Sequence, residues 1–159
     1  MTTFRPFTES DCDAVCGLIK SQEELFSVYP RGEFPLTPAQ LLELSNTRME
    51  LTVAVEDDRI VGFANLYEYQ AHQSAFVGNV IVDRDYRGRG LGRAIVSHML
   101  KLGFEKYALP EVHISVFSGN TPALLLYVRF GFKPYDIEER VDPMGNRVAL
   151  IHMKLRKTN

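Results

Sequence analysis

The consecutive segments AFVGNVIV (Ala75–Val82), DRDYRGRGLG (Asp83–Gly92) and RAIVSHMLKLGFEKY (Arg93–Tyr107) decide how the rest of the chain is read. The first is apolar, the second is charged and rich in glycine, and the helical spacing of Leu91, Ile95, Met99 and Leu102 puts an apolar stripe along the third. The order is strand, glycine-rich loop, helix.

The loop is suited to an anion. Gly88, Gly90 and Gly92 leave the backbone without Cβ atoms where the chain turns into the helix, so bare N–H groups can approach a ligand closely. The helix N-terminus adds partial positive charge, worth ~0.3–1 kcal/mol to a nearby anion. Arg84, Arg87, Arg89 and Arg93 outnumber Asp83 and Asp85 by two charges, and guanidinium groups match phosphate oxygens through paired hydrogen bonds. A diphosphate is the expected ligand. No Lys followed by Ser or Thr comes after the last glycine, as an ATP-binding P-loop would need. The GxGxG spacing also differs from the GxGxxG of dinucleotide-binding units.

Arg87-Gly88-Arg89-Gly90-Leu91-Gly92 is similar to the signature of the GNAT superfamily of acyl-CoA-dependent N-acyltransferases. In that signature an Arg or Gln, two variable positions, Gly, one variable position, and Gly or Ala open a helix after the fourth strand. Asn79–Tyr86, NVIVDRDY, resembles the matching run of the family's protein N-terminal acetyltransferases. Asn120-Thr121-Pro122-Ala123, Leu126-Tyr127 and Phe130-Gly131-Phe132 resemble its downstream motif. The resemblance covers nearly the whole chain in element order. It implies acetyl-CoA as co-substrate, a primary amine as acceptor and no metal.

Composition agrees with one soluble enzyme-sized domain over residues 1–159, since 45% hydrophobic and 24% charged residues can build a core and a solvated surface. A net charge of −2 without a basic stripe outside the loop argues against nucleic acid as a partner. No apolar run is long enough to span a membrane, so a cytoplasmic protein, monomeric or homodimeric, is expected. Cys12 and Cys16 stand one helical turn apart with no further cysteine to complete a metal site, and read as reduced thiols.

Taken in order, Thr3–Phe7 reads as an edge strand, Ser10–Ser21 as a first helix, and residues 22–38 as an irregular but apolar segment. A short helix starts at Thr37-Pro38. Strands follow at Leu51–Glu56, Ile60–Tyr69, Ala75–Val82 and Glu111–Phe117, then a helix from Asn120 and a hairpin of Lys133–Val141 with Arg147–Leu155. Gly78 marks a bulge or a place where a ligand approaches the backbone. The strand–helix–strand order makes the fourth and fifth strands parallel. The expected class is α/β (α+β), with a mixed, mostly antiparallel sheet of about seven strands, one parallel pair and about four flanking helices. With the resemblance, this is the GNAT fold.

The resemblance also implies site residues. It gives the pyrophosphate to the loop of Arg87, Gly88, Arg89, Gly90, Leu91, Gly92 and Arg93. It gives the pantetheine arm to Val80, Ile81, Val82 and Asn120, with the Val82 N–H turned to the developing oxyanion. Tyr127 is implied as the acid that protonates the leaving thiolate. Read from the residues alone, Tyr127 is a core aromatic beside Leu124 and Phe130, and Asn120 is a helix cap. A lysine-like amine with pKa ~10.4 needs a proton acceptor more than an α-amine near ~8 does. The glutamates that family members carry on strands four and five are missing here: strand four has Phe76, Val77 and Gly78, and strand five has Ser115. Glu68 is the expected substitute, followed by His113 and Glu33. Those missing carboxylates also leave an alternative, a catalytically silent acyl-CoA-binding regulatory domain.

Overall fold

The computed structural model describes residues 1–158. Seven strands form one sheet: β1 (Thr3–Pro6), β2 (Met49–Glu56), β3 (Arg59–Gln70), β4 (Ser74–Val82), β5 (Glu111–Phe117), β6 (Lys133–Val141) and β7 (Arg147–Arg156). Their spatial order is β1-β2-β3-β4-β5-β7-β6, and every neighbouring pair is antiparallel except β4 with β5. The helices are α1 (Cys12–Cys16), α2 (Gln22–Val28), α3 (Pro38–Ser45), α4 (Leu91–Lys101) and α5 (Thr121–Phe130). The fold class expected from the sequence is the one observed.

Two details of the N-terminal half differ from that expectation. The first helix is only Cys12–Cys16, preceded by a 3-10 turn at Glu9–Asp11 and closed at Gly17. The segment expected to be irregular contains α2, the fifth helix. Ser21 starts it by accepting the Glu24 N–H on its side chain, and Glu23 and Glu24 favour its first turn. The segment's three prolines, Pro30, Pro35 and Pro38, all lie beyond the end of α2.

Alternation along the strands divides the core between the two faces of the sheet. On one face Leu91, Ile95 and Met99 of α4 and Tyr127 of α5 pack with Leu66, Val77, Val112, Ile114 and Met153. On the other, α1 and α3 bury Val15, Leu41 and Leu44 against Val53, Phe63 and Ile81. His113 and Ser115 point away from the first cluster, on the β5 face opposite Val112, Ile114 and Val116.

Candidate active site

The central opening follows from the register of β4. This strand pairs with β3 through Val82, opposite Gly62, but its last pair with β5 is Val77 with Ile114. Between Ile81 and Gly78, β4 carries one more residue than β3 does between Phe63 and Asn65. That bulge contains Asn79, at φ +48°. A bulged strand bends, and from Gly78 onward the β4 edge that should face β5 is free. Gly78 itself has no room for a side chain: a Cβ there would lie 2.6 Å from the Tyr67 ring.

The gap lies within a cleft of about 2220 Å³. Helix α2 roofs it through contacts to both sides. Phe26 stacks on Phe117 at 4.6 Å, Asn79 Nδ2 donates to the Val28 carbonyl at 2.7 Å, and Glu24 takes hydrogen bonds from Arg84 (2.9 Å) and Arg87 (2.8 Å). The Lys20 N–H also donates to Glu24 at 2.9 Å.

At one end of the gap the chain turns into α4. Gly90 caps the helix at φ +82° and Gly88 lies at φ +77°, backbone conformations that side-chain-bearing residues avoid. A Cβ at either glycine would meet nothing within 4 Å, so the space beside them is open to a ligand. Gly92 meets only ordinary contacts with Leu126 and Val82. Gly88, Gly90, Leu91, Gly92, Arg93 and Arg87 all line the cleft. Arg89 does not; its guanidinium lies 5.1 Å from the Tyr86 ring centroid. The surplus of arginine charge in the loop is also smaller than its composition suggests, because Arg84 and Arg87 are both engaged by Glu24.

Val80, Ile81, Val82, Asn120 and Tyr127 line the same cleft. Asn120 caps α5, its Oδ1 accepting the Ala123 N–H at 3.4 Å. The buried Tyr127 ring sits edge-on to Phe132 with 6.0 Å between centroids, and burial alone holds the hydroxyl's pKa well above its ordinary value.

The other half of the cleft holds a polar chain that sequence reading missed. The Ser115 Oγ and His152 Nδ1 are 2.7 Å apart, and His152 Nε2 lies 2.8 Å from Glu138 Oε2. Glu138 is held in turn by Arg140 Nε at 2.9 Å. Tyr67 also lines the cleft, with the Arg48 guanidinium 4.0 Å from its ring centroid. Ser115 and His152 face each other across β5 and β7, a register the sequence does not announce.

The candidate proton acceptors fall in different places. Glu68 lines the cleft but is exposed, at φ +49° in a second bulge, this one in β3. Glu33 also lines the cleft and is exposed. His113 lies outside the lining, bound to Glu111 at 2.6 Å and to the Tyr135 hydroxyl at 2.8 Å. Cys12 is buried and Cys16 half-buried, both as free thiols. Among the described residues, no group of three or more His, Cys, Asp or Glu side chains could hold a metal ion, and no helix is long and apolar enough to cross a membrane.

The sheet thus parts between its two parallel strands, above a glycine turn at a helix N-terminus. The sequence model of the acetyltransferase (GNAT) family matches residues 18–132, and the chain belongs to that family. It is 35% identical over 52 residues to the spermine/spermidine N(1)-acetyltransferase of Bacillus subtilis (strain 168), covering 33% of this chain and 34% of that protein. It is 34% identical over 75 residues to the [ribosomal protein bS18]-alanine N-acetyltransferase of Escherichia coli (strain K12), covering 46% of this chain and 50% of that protein. These matches span a third to a half of each relative's length. In fold, the chain is similar to the spermidine N-acetyltransferase from Vibrio cholerae in complex with CoA and spermine, with a TM-score of 0.81 at 22% identity, covering 98% of this chain and 95% of that one.

Proposed function

We propose that this protein transfers the acetyl group of acetyl-CoA to a primary amine by direct attack, with both substrates bound together. The observation that carries the reading is the free edge of β4. Its backbone groups from Gly78 to Val82 have no β5 partner, and they run from Ser115 and Tyr127 to the open space beside Gly88 and Gly90. An extended amide-bearing arm can add to such an edge as a strand would, while its diphosphate meets bare N–H groups at the start of α4.

Acetyl-CoA supplies an activated acyl carbon, and the chain supplies the rest. The loop and the β4 edge hold the donor, with Asn120 on its arm. The Val82 N–H faces the carbonyl oxygen as it gains charge. The Tyr127 hydroxyl, kept protonated by burial, donates to the departing sulfur. Glu68, exposed at the rim, hands the amine's proton on to solvent. The acceptor is a small-molecule or protein amine. The polyamine and alanine-terminus acetyltransferases among the relatives support both classes. A silent acyl-CoA-binding domain would have no use for Tyr127 turned into the cleft.

Calorimetric titration with acetyl-CoA, CoA, ATP and NAD tests the reading. Binding of the two CoA species alone, on the order of micromolar or ~8 kcal/mol, is the expected result. Binding of none of them reduces the loop to a helix cap.

A further inference from the structure

We propose that Ser115, His152 and Glu138 form a proton relay that deprotonates the acceptor amine, and that this relay stands in for the carboxylate absent from strands four and five. The inference deepens the N-acetyltransferase reading and rests on it.

Position is the first argument. Ser115 is the first β5 residue beyond the last pair with β4, so its side chain sits where the two strands part. An amine attacking an acyl group held along the β4 edge has to enter at this point. A serine hydroxyl there is too weak a base to act alone.

Orientation is the second. Glu138 lies at Nε2 and Ser115 at Nδ1, on opposite sides of the His152 ring. A carboxylate can only accept, so Nε2 carries the proton and Nδ1 is left as an acceptor for the Ser115 hydroxyl. Arg140 holds the other Glu138 oxygen and fixes the carboxylate. The ring is fixed by its surroundings as well. Phe76 from β4 meets it edge-on at 6.4 Å, and Tyr135 from β6 lies 6.2 Å away. Asp136 of β6 is its register partner, His113 lies on the same face of β5 as Ser115, and Tyr67 from β3 lines the same cleft. His152 lines the cleft, and its side chain is only 17% exposed.

The step balances. The nitrogen lone pair forms the C–N bond as the C–S bond breaks. The amine's proton passes to Ser115 Oγ while the Ser115 proton passes to His152 Nδ1, and Glu138 stabilises the resulting imidazolium. Tyr127 protonates the departing sulfur, and solvent, through Glu68 at the rim, restores both groups.

The experiment has a part that needs no acceptor and a part that does. In the 15N-labelled protein at neutral pH, long-range 1H–15N spectra should show His152 protonated at Nε2 only, and Ser115→Ala should shift its Nδ1 signal. A ring protonated at Nδ1, or at both nitrogens, overturns the relay. The second part follows CoA release from acetyl-CoA with spermidine and with an alanine-terminated peptide. His152→Gln should lower turnover at least tenfold with unchanged acetyl-CoA affinity, and the deficit should shrink as the pH rises and free amine becomes abundant. Ser115→Glu, which places a carboxylate at the parting of the strands, should make residue 152 dispensable. A loss in His152→Gln that is equal at every pH and persists beside Ser115→Glu marks a structural role and overturns the relay. So does an acetyl group found on Ser115 by intact mass. If acetyl-CoA does not bind, or neither amine is acetylated, the N-acetyltransferase reading or its acceptor class fails instead, and the spectra still decide whether His152 can accept a proton.

Discussion

Arg87 Nη2 donates to Glu24 Oε2 at 2.8 Å, which fastens the first residue of the loop motif to the roof helix α2. Burial raises the Glu24 carboxyl, but the Lys20 N–H, Arg87 and Arg84 outweigh it and leave its pKa below the ordinary value. A carboxyl depressed by folding adds stability above its unfolded pKa and loses it as the pH falls through the folded value. Both arginine side chains are 54% exposed, so screening keeps the gain small. Glu24→Gln should cost roughly 0.5–1 kcal/mol near neutral pH, a difference that fades below about pH 4. Urea unfolding at several pH values measures it. An unchanged difference in acid would mean that the carboxylate's charge is not what holds α2.

Tyr127→Phe removes one hydroxyl from a ring that otherwise packs on Phe132. Acetyl-CoA affinity should stay nearly intact while turnover falls at least tenfold, ~1.4 kcal/mol in the barrier. Burial raises the hydroxyl's pKa, so the acid form persists through neutral and mildly alkaline pH, and the wild type should show no loss of activity from Tyr127 in that range. Equal turnover of the two proteins across the pH range would remove Tyr127 from the mechanism.

Gly90 separates two requirements, a left-handed backbone and an empty space. Gly90→Ala pays only for the first, since its Cβ would touch nothing within 4 Å, and roughly 1–2 kcal/mol of stability is the expected cost. Gly90→Glu adds a long anionic side chain where a diphosphate would lie and should abolish CoA binding in a folded protein. Calorimetry on both variants decides, and retained CoA affinity in Gly90→Glu would overturn the phosphate cradle.

The strand–loop–helix reading of residues 75–107 was legible because it depends on local chemistry: an apolar run, left-handed glycines and a helical stripe. Tyr127 and Asn120 were legible only through the spacing of their motif, since each also has an ordinary structural place in α5. What remained hidden is long-range. Ser115 was read as a missing carboxylate, whereas it faces His152 from 37 positions away. Arg87 and Arg84 counted as free charge until α2 brought Glu24 to them. At Gly78 the sequence offered a bulge or a place where a ligand approaches the backbone. The extra residue lies just beyond it, in the stretch that contains Asn79, and the space at Gly78 itself is taken by the Tyr67 ring.

Asn79 combines these local and distant roles, and so makes a sharp test of how the cleft is held open. Its Oδ1 accepts from the fully buried Asn65 at 2.9 Å, and its Nδ2 donates to the carbonyl of Val28, the last residue of α2. Its φ of +48° suits asparagine better than most other side chains. Asn79→Gly keeps the backbone conformation but strands the Asn65 amide and the Val28 carbonyl, and should cost ~1–3 kcal/mol. Asn79→Ala adds left-handed strain and should cost roughly 1 kcal/mol more. In both, amide exchange across α2 should quicken while α4 and β5 remain protected. Equal stability of the glycine and alanine variants would show that the bulge relaxes without strain, and unaltered exchange in α2 would show that Phe26 and Glu24 suffice to hold the roof.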